Sequence, residues 1–191
     1  MTHSLYYKLL LGYLLFGLLG FVTIATFSSD MTYRYLINRK AEILYDEATM
    51  IADDCSKVYE GKEINLEVAY PQLQAVSSYL QSDVWILNHT GSIVADSSNK
   101  KTGTAIEGFD PTAQGNHLYT IGSYYGLFNS DVLSVSAPIT GNMRTYGYIV
   151  IHLPVSLIHQ EQNGFLNIVY ITSAIIFLLS LIILLVCANV G

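Results

Sequence analysis

Hydrophobic positions fall into two kinds of pattern along this chain: unbroken runs at the two ends and periodic stripes between them. Leu9 to Phe27 holds 19 consecutive positions without a charge, and Phe165 to Val190 holds 26. A helix needs roughly 18 apolar residues to cross about 30 Å of hydrocarbon, so each run predicts a transmembrane helix and the chain is expected to cross a membrane twice. The first run is longer than the roughly 7 to 15 apolar residues of a signal peptide, and no A-x-A site follows it. An uncleaved anchor is therefore the expected reading.

Between the runs the pattern becomes periodic. Ile37, Ala41, Leu44, Ala48, Ile51, Cys55 and Val58 follow alternating steps of four and three, while charged residues such as Arg39, Glu42, Asp46 and Asp53 hold the other faces. That spacing is a heptad stripe and predicts a long amphipathic helix leaving the membrane. The stripe can pack on its own domain or on a second copy of the chain. Small Ala41, Ala48 and Cys55 suit either partner, with self-packing expected for Ala48 to Val58 and dimer contact nearer the membrane. The helix is expected to stop around Glu60, Gly61 and Lys62, and a shorter one to start about Pro71 and run through Leu73, Val76 and Leu80.

Extended segments follow. Asp83 to Leu87 and Ser92 to Ala95 flank Asn88-His89-Thr90-Gly91 and read as a β-hairpin. Val132 to Ile139 and Tyr146 to Leu153, joined by Thr140 to Thr145, read as a second pair. A short strand near Tyr119 to Tyr125 makes five. Two helices followed by five strands with short turns predict an α+β domain, an antiparallel sheet covered on one face by helices. Pro154 to Gln162 reads as a short helix leading into the second span.

The expected division is a short start at 1–8, a first span at 9–29, a folded domain at 30–164 and a second span at 165–190. The folded part is of ordinary size for one domain. It carries all fifteen acidic residues against eight basic ones, a formal charge of −7, which argues against nucleic acid as a partner. Its one cysteine, Cys55, leaves no disulfide framework, so a hydrophobic core must supply the stability. Taken literally, Arg34, Arg39 and Lys40 after the first span place the domain in the cytoplasm, yet a loop this long translocates largely regardless of charge. Eleven tyrosines and few lysines lean outward.

No G-x-S-x-G, H-E-x-x-H, G-x-x-x-x-G-K-[ST] or C-x-x-C pattern occurs, and the five histidines lack metal-ligand spacing. Neither catalysis nor a metal or other cofactor is expected. His89 and His117 fall in loops, where an imidazole can sense acidification but more often does nothing measurable. Asp96, at a strand end, is expected to cap backbone N–H groups.

The order of parts, with DVWILNHTGSIVADSS and VLSVSAPITGNMRTYGYIVIHLPVSLI between two spans, resembles the sensor half of bacterial membrane-bound two-component histidine kinases of the Cache, or extracellular PAS-like, type. The matching pieces are a strand ending in Ala-Asp-Ser (Ile93 to Ser97) and a "sapi…G.iiv" pattern (Ser136 to Ile139, Gly147 to Ile151). The resemblance covers Tyr7 to Val190. It implies a homodimer in the bacterial plasma membrane with lipid around its two spans and a small-molecule or ionic signal bound to an outward-facing domain. A kinase continues into a phosphoacceptor helix and an ATP-binding domain; neither is in this sequence, so no phosphotransfer by this chain is expected.

By that resemblance a ligand sits on the sheet face beneath the connecting loops, which singles out Trp85, Tyr119, Tyr124, Tyr125 and Arg144. Aromatic walls with one charge suit a small anion or amino acid. The competing reading makes the aromatics ordinary core or rim and Arg144 a solvated turn charge. A membrane-anchored scaffold, or the sensor of a chemoreceptor or cyclase, are the alternative functions.

Overall fold

The first apolar run and the heptad stripe belong to one helix, α1 (Thr2–Lys57), in the computed structural model, which describes residues 2–57, 59–60, 63–64, 66–111 and 118–190. After it come β1 (Tyr59–Glu60), β2 (Glu63–Ile64), α2 (Leu66–Leu80), β3 (Asp83–Asn88), β4 (Ile93–Asp96), β5 (Thr120–Gly122), β6 (Val132–Gly141), β7 (Arg144–Pro154) and α3 (Val155–Val190). The chain divides into two compact units: Met1–Leu36 with His159–Gly191, and Ile37–Ile158.

In the first unit α1 and α3 run antiparallel. Tyr13 stacks on Phe177 (5.4 Å between centroids), Phe21 meets Tyr170 (6.0 Å) and Tyr33 stacks on His159 (5.2 Å). Gly17 makes the first contact possible, because a Cβ there would land inside the Phe177 ring. The Tyr13 hydroxyl also bonds Ser180 Oγ, and Gln162 Nε2 donates to the Ser29 carbonyl over 2.9 Å. Outward faces stay apolar, with Phe16 and Ile168 exposed. Both helices are long and apolar enough to cross a membrane.

The second unit is built on five antiparallel strands in the order β4-β3-β7-β6-β5. Period-two alternation gives its central strands two buried faces. One carries Val84, Ile86, Leu133, Val135, Ile149 and Ile151, each fully buried. It packs in the layer that also buries Ala69 and Leu73 of α2 and the α1 stripe, where Ile37, Ala41, Leu44, Ala48, Ile51 and Cys55 are at most 3% exposed. The stripe therefore packs on its own unit all the way back to Ile37, beyond the expected self-packing segment; Val58 lies outside the described residues. Burial pushes the Cys55 thiol up to about 11. Gln72 of α2 donates to Asp54, and with Lys57 it holds that carboxyl below its ordinary value.

Three boundaries differ from expectation. α1 stops at Lys57, not at Glu60 to Lys62, because Tyr59–Glu60 and Glu63–Ile64 pair as a small antiparallel ladder. α2 begins five residues before Pro71, which lies inside the helix; Glu67 in the first turn suits the positive end of the helix dipole. The turn expected over Thr140 to Thr145 contracts to Asn142 and Met143, since β6 and β7 pair out to Gly141 and Arg144.

That turn has left-handed backbone at both positions, φ 49° and 60°, as a two-residue hairpin matched to strand twist requires. Asparagine adopts this conformation readily, whereas methionine adopts it at a cost of roughly 1–2 kcal/mol. Met143 is fully exposed, so Met143→Gly is expected to stabilise the domain by roughly 1 kcal/mol, read as a raised urea midpoint. A second glycine has the opposite logic. Gly147, in the "G.iiv" pattern, sits where a Cβ would run into the Leu87 carbonyl of β3. Gly147→Ala should wedge β3 from β7 and lower stability by about 2 kcal/mol, with the same midpoint as the measure.

Candidate functional site

The other sheet face is polar at its centre and aromatic around it. Trp85 on β3, Ser134 on β6, and Val150 and His152 on β7 share it by register. Residues of the long β4–β5 and β5–β6 connections cover it: Ile106, Phe109, Tyr124, Leu127 and Phe128 pack on Trp85, Leu87 and Val150. Phe128 stacks flat on Trp85 at 5.2 Å and 9°, while Tyr124 meets the indole edge-on at 5.9 Å.

His152 lies inside this aromatic box, 4.2 Å from Trp85, 4.4 Å from Tyr124 and 4.9 Å from Phe128 between ring centroids. It is fully buried. Burial, and then the nearby Lys101 charge, push its pKa down to about 3, so the ring is neutral at physiological pH. Nδ1 lies 2.8 Å from Ser134 Oγ. Nε2 and the Trp85 indole nitrogen are both buried without a hydrogen-bond partner among the described residues. Each such atom costs about 1–3 kcal/mol, which a domain tolerates only for a reason.

The cover is held in place by loop chemistry. Asp96, fully buried, accepts from the backbone N–H groups of Ser98, Lys100 and Lys101 at 2.9 Å each, which shapes the turn after β4. That turn sets the Lys101 ammonium 5.3 Å over Phe128, where it also donates to the Leu127 carbonyl. Gly91, at φ 84°, abuts the Phe109 ring closely enough to leave no room for a Cβ. Toward the β5 edge the cover leaves a cavity of about 310 Å³, lined by Phe109, Asp110, Thr120, Tyr124, Tyr125 and Ser136. Across it the Tyr125 hydroxyl accepts from the Asp110 N–H at 3.3 Å.

The five residues singled out in the sequence separate here. Trp85 and Tyr124 stand together in the box, with burial raising the Tyr124 hydroxyl pKa well above its ordinary value. Tyr125 lines the cavity. Tyr119 instead donates to Asn38 Oδ1 of α1 at 3.1 Å. Arg144 is exposed at the tip of the β6–β7 hairpin, six residues along β7 from Val150. At about 3.4 Å per residue that is about 20 Å from the Trp85 row. His89 is exposed in its turn, and His117 lies outside the described residues.

His152, Ser134, Phe128 and Lys101 are functional-site residues that local sequence patterns do not mark. The signal for the first two was a serine and a histidine breaking two apolar strands, in phase with Trp85 only once the register is fixed. Asp96 does cap backbone N–H groups.

No protein-family model matches the sequence, and no curated protein is significantly similar to it. Solved structures do resemble it. The ligand-binding domain of the Campylobacter jejuni chemoreceptor Tlp3, in complex with 4-methylisoleucine, is 10% identical; the match covers 72% of this chain and 61% of that one, with a TM-score of 0.50. The E. coli DcuS sensor domain is 19% identical over 70% of this chain and 98% of its own, at a TM-score of 0.48. The sensor domain of the V. cholerae histidine kinase DctB is 18% identical over 81% and 59%, at 0.41. With its antiparallel sheet ordered β4-β3-β7-β6-β5, one face under helices and the other under long connections, the Ile37–Ile158 unit has the fold of a Cache, or PAS-like, sensor domain.

Proposed function

We propose that this chain is the signal-sensing and transmembrane-signalling portion of a bacterial two-component sensor histidine kinase. Residues 9–29 and 165–190 span the plasma membrane, 30–164 lie outside it, and the chain works as a homodimer. A small molecule binds on the covered sheet face. Ligand-dependent repacking of that face shifts α3 against α1, which is how the signal crosses the bilayer.

The observation that carries the reading is the covered face itself: an aromatic box with two unpartnered nitrogens, beside a cavity of about 310 Å³, in a sheet whose last strand runs directly into an apolar helix. Burial of both faces of the central strands disfavours a scaffold that docks proteins on an open sheet. Dimerisation draws support from Ile43 and Met50, exposed one heptad apart on α1. The likeness to a chemoreceptor ligand-binding domain keeps a chemoreceptor as the second reading, with the same sensing face and a different output.

The test is a thermal-shift screen of the full chain in detergent against amino acids, organic acids and divalent metals. A ligand at a hundredfold its Kd stabilises by about 2.7 kcal/mol, roughly 10 °C for a domain this size. If no class produces a saturable shift, the sensing role is wrong.

A further inference from the structure

Where the two apolar runs end, α1 and α3 frame a second recess, within the helical unit and apart from the sheet. Ala25, Ser29, Asp30 and Tyr33 of α1 and Asn163 and Leu166 of α3 line it, around a volume of about 660 Å³. Spacings of three and four residues put each set on one helix face. Ala25 and Leu166 belong to the apolar runs, whereas Ser29, Asp30, Tyr33 and Asn163 lie beyond their ends. Phe27, Phe165 and Ile168, on the same turns, are exposed. The recess therefore straddles the level at which hydrocarbon gives way to water, where phospholipid headgroups lie.

Part of the lining is committed to bracing the helices. Gln162, only 7% exposed, donates from Nε2 to the Ser29 carbonyl at 2.9 Å and to Ser29 Oγ at 3.2 Å. Its Oε1 lies 3.3 Å from His159 Nδ1, and the His159 ring covers one face of Tyr33. These contacts fix the width of the recess and leave oxygen acceptors for a guest. Arg34 holds Asp30 Oδ2 at 3.0 Å, while Oδ1 has no partner among the described residues. The Asn163 side-chain amide has none there either. Asp30 is the one carboxylate among the described lining residues, and no Lys or Arg joins it. The exposed Asp30–Arg34 pair is of the kind that contributes little, so it does not keep a second cation away from the carboxylate.

The guest that fits carries positive charge and N–H donors at its polar end and hydrocarbon at the other. A phosphate on its own would face the Asp30 carboxylate. A quaternary ammonium favours an aromatic cage, and here one face of Tyr33 is already taken and the open partners are acceptors. A primary ammonium has three N–H groups to offer them. We propose, resting on the reading of α1 and α3 as membrane spans, that this recess seats a phospholipid with a primary-ammonium headgroup of the ethanolamine type. Its ammonium bonds Asp30 Oδ1 and the Asn163 side-chain carbonyl, and its chains run down past Ala25 and Leu166.

The test is native mass spectrometry of the full chain released from detergent micelles, titrated with dioleoyl phosphatidylethanolamine, phosphatidylcholine or phosphatidylglycerol, with free ethanolamine as a competitor. Phosphatidylethanolamine should bind about tenfold more tightly than the other two lipids, the contribution of one charge-assisted hydrogen bond. Asp30→Asn, on an exposed helix surface, should remove that preference and leave phosphatidylglycerol binding as it was. Asp53→Asn, an exposed carboxylate on the same helix but outside the recess, should change nothing. Equal binding of phosphatidylcholine, a preference for phosphatidylglycerol, or displacement by equimolar free ethanolamine overturns the proposal. So does an Asp30→Asn variant that binds like the wild type or loses all three lipids alike. Alkaline carbonate extraction of the chain from vesicles made with and without phosphatidylethanolamine separates the two readings. A chain that resists extraction yet shows no lipid preference overturns the headgroup site alone, whereas a chain extracted from every vesicle overturns the spans and the site together.

Discussion

Trp85→Ala is expected to cost the sheet domain at least about 5 kcal/mol, enough to leave it unfolded or nearly so. Loss of a buried tryptophan removes its transfer free energy and leaves a cavity, together about 3–5 kcal/mol. Here the indole also carries the Phe128 stack and the Tyr124 and His152 edges, and aromatic pairs add about 0.5–1.5 kcal/mol each. Against a total stability of about 5–15 kcal/mol, the loss is decisive. Trp85→Phe separates packing from hydrogen bonding: it keeps most of the volume and removes the unpartnered N–H, so it should cost under about 1.5 kcal/mol. Since the variants lose the fluorescent reporter, Cys55 serves instead in a Cys187→Ser background. Its thiol is buried and pushed up to about 11, so thiol reagents should reach it only on unfolding. Urea midpoints from Cys55 labelling that fall equally for Ala and Phe would show that the ring volume is not what holds the cover.

How far the sequence discloses this arrangement depends on the range of the interaction. Apolar runs and the Ile37 to Cys55 stripe are one-dimensional signals, and α1 and α3 follow them. Hairpins β3–β4 and β6–β7 are also local, since each places its turn between two alternating segments. What failed locally was the reading of one residue as punctuation. Gly61 reads as a helix stop, whereas the apolar Tyr59 and Ile64 on either side of EGKE are a hairpin signal, and they pair. Pro71 reads as a helix start but sits within α2. Nonlocal geometry was the larger loss. His152 meets Trp85 only because β3 pairs with β7 in one register out of several, with Asp83 opposite His152 and Trp85 opposite Val150. A shift of one residue would have turned His152 toward α2. Arg144 stands in sequence as an isolated charge among aromatics, but strand length carries it to the far end of the hairpin.

Acidification should destabilise the same domain through His152. The sign follows from where protons bind. In the unfolded chain the imidazole titrates near its ordinary 6.5, whereas in the fold burial and the Lys101 charge hold it at about 3. Between these values the unfolded state carries one proton more, so stability rises with pH, is full above about 6.5, and is lost as pH falls. From pH 7 to pH 4 the loss is about 3 kcal/mol, close to a factor of ten per pH unit at the acid end. Other groups around the ring modify this without reversing it. Asp83, opposite His152 in register, has a pKa raised by its own burial and then by Asp96, so its protonation in the fold offsets part of the loss. Asp54 acts in the other direction: its lowered pKa adds to the loss near pH 4, from an exposed site on α1. Tyr124, with its pKa raised, stays neutral throughout. Urea midpoints followed by Trp85 fluorescence between pH 7.5 and pH 4 measure the slope, and His152→Phe, which keeps the ring volume, should remove most of it between pH 6.5 and pH 4.5. A wild-type midpoint that stays level over that window, or a variant that keeps the full slope, would mean that the buried imidazole is not what ties this fold to pH.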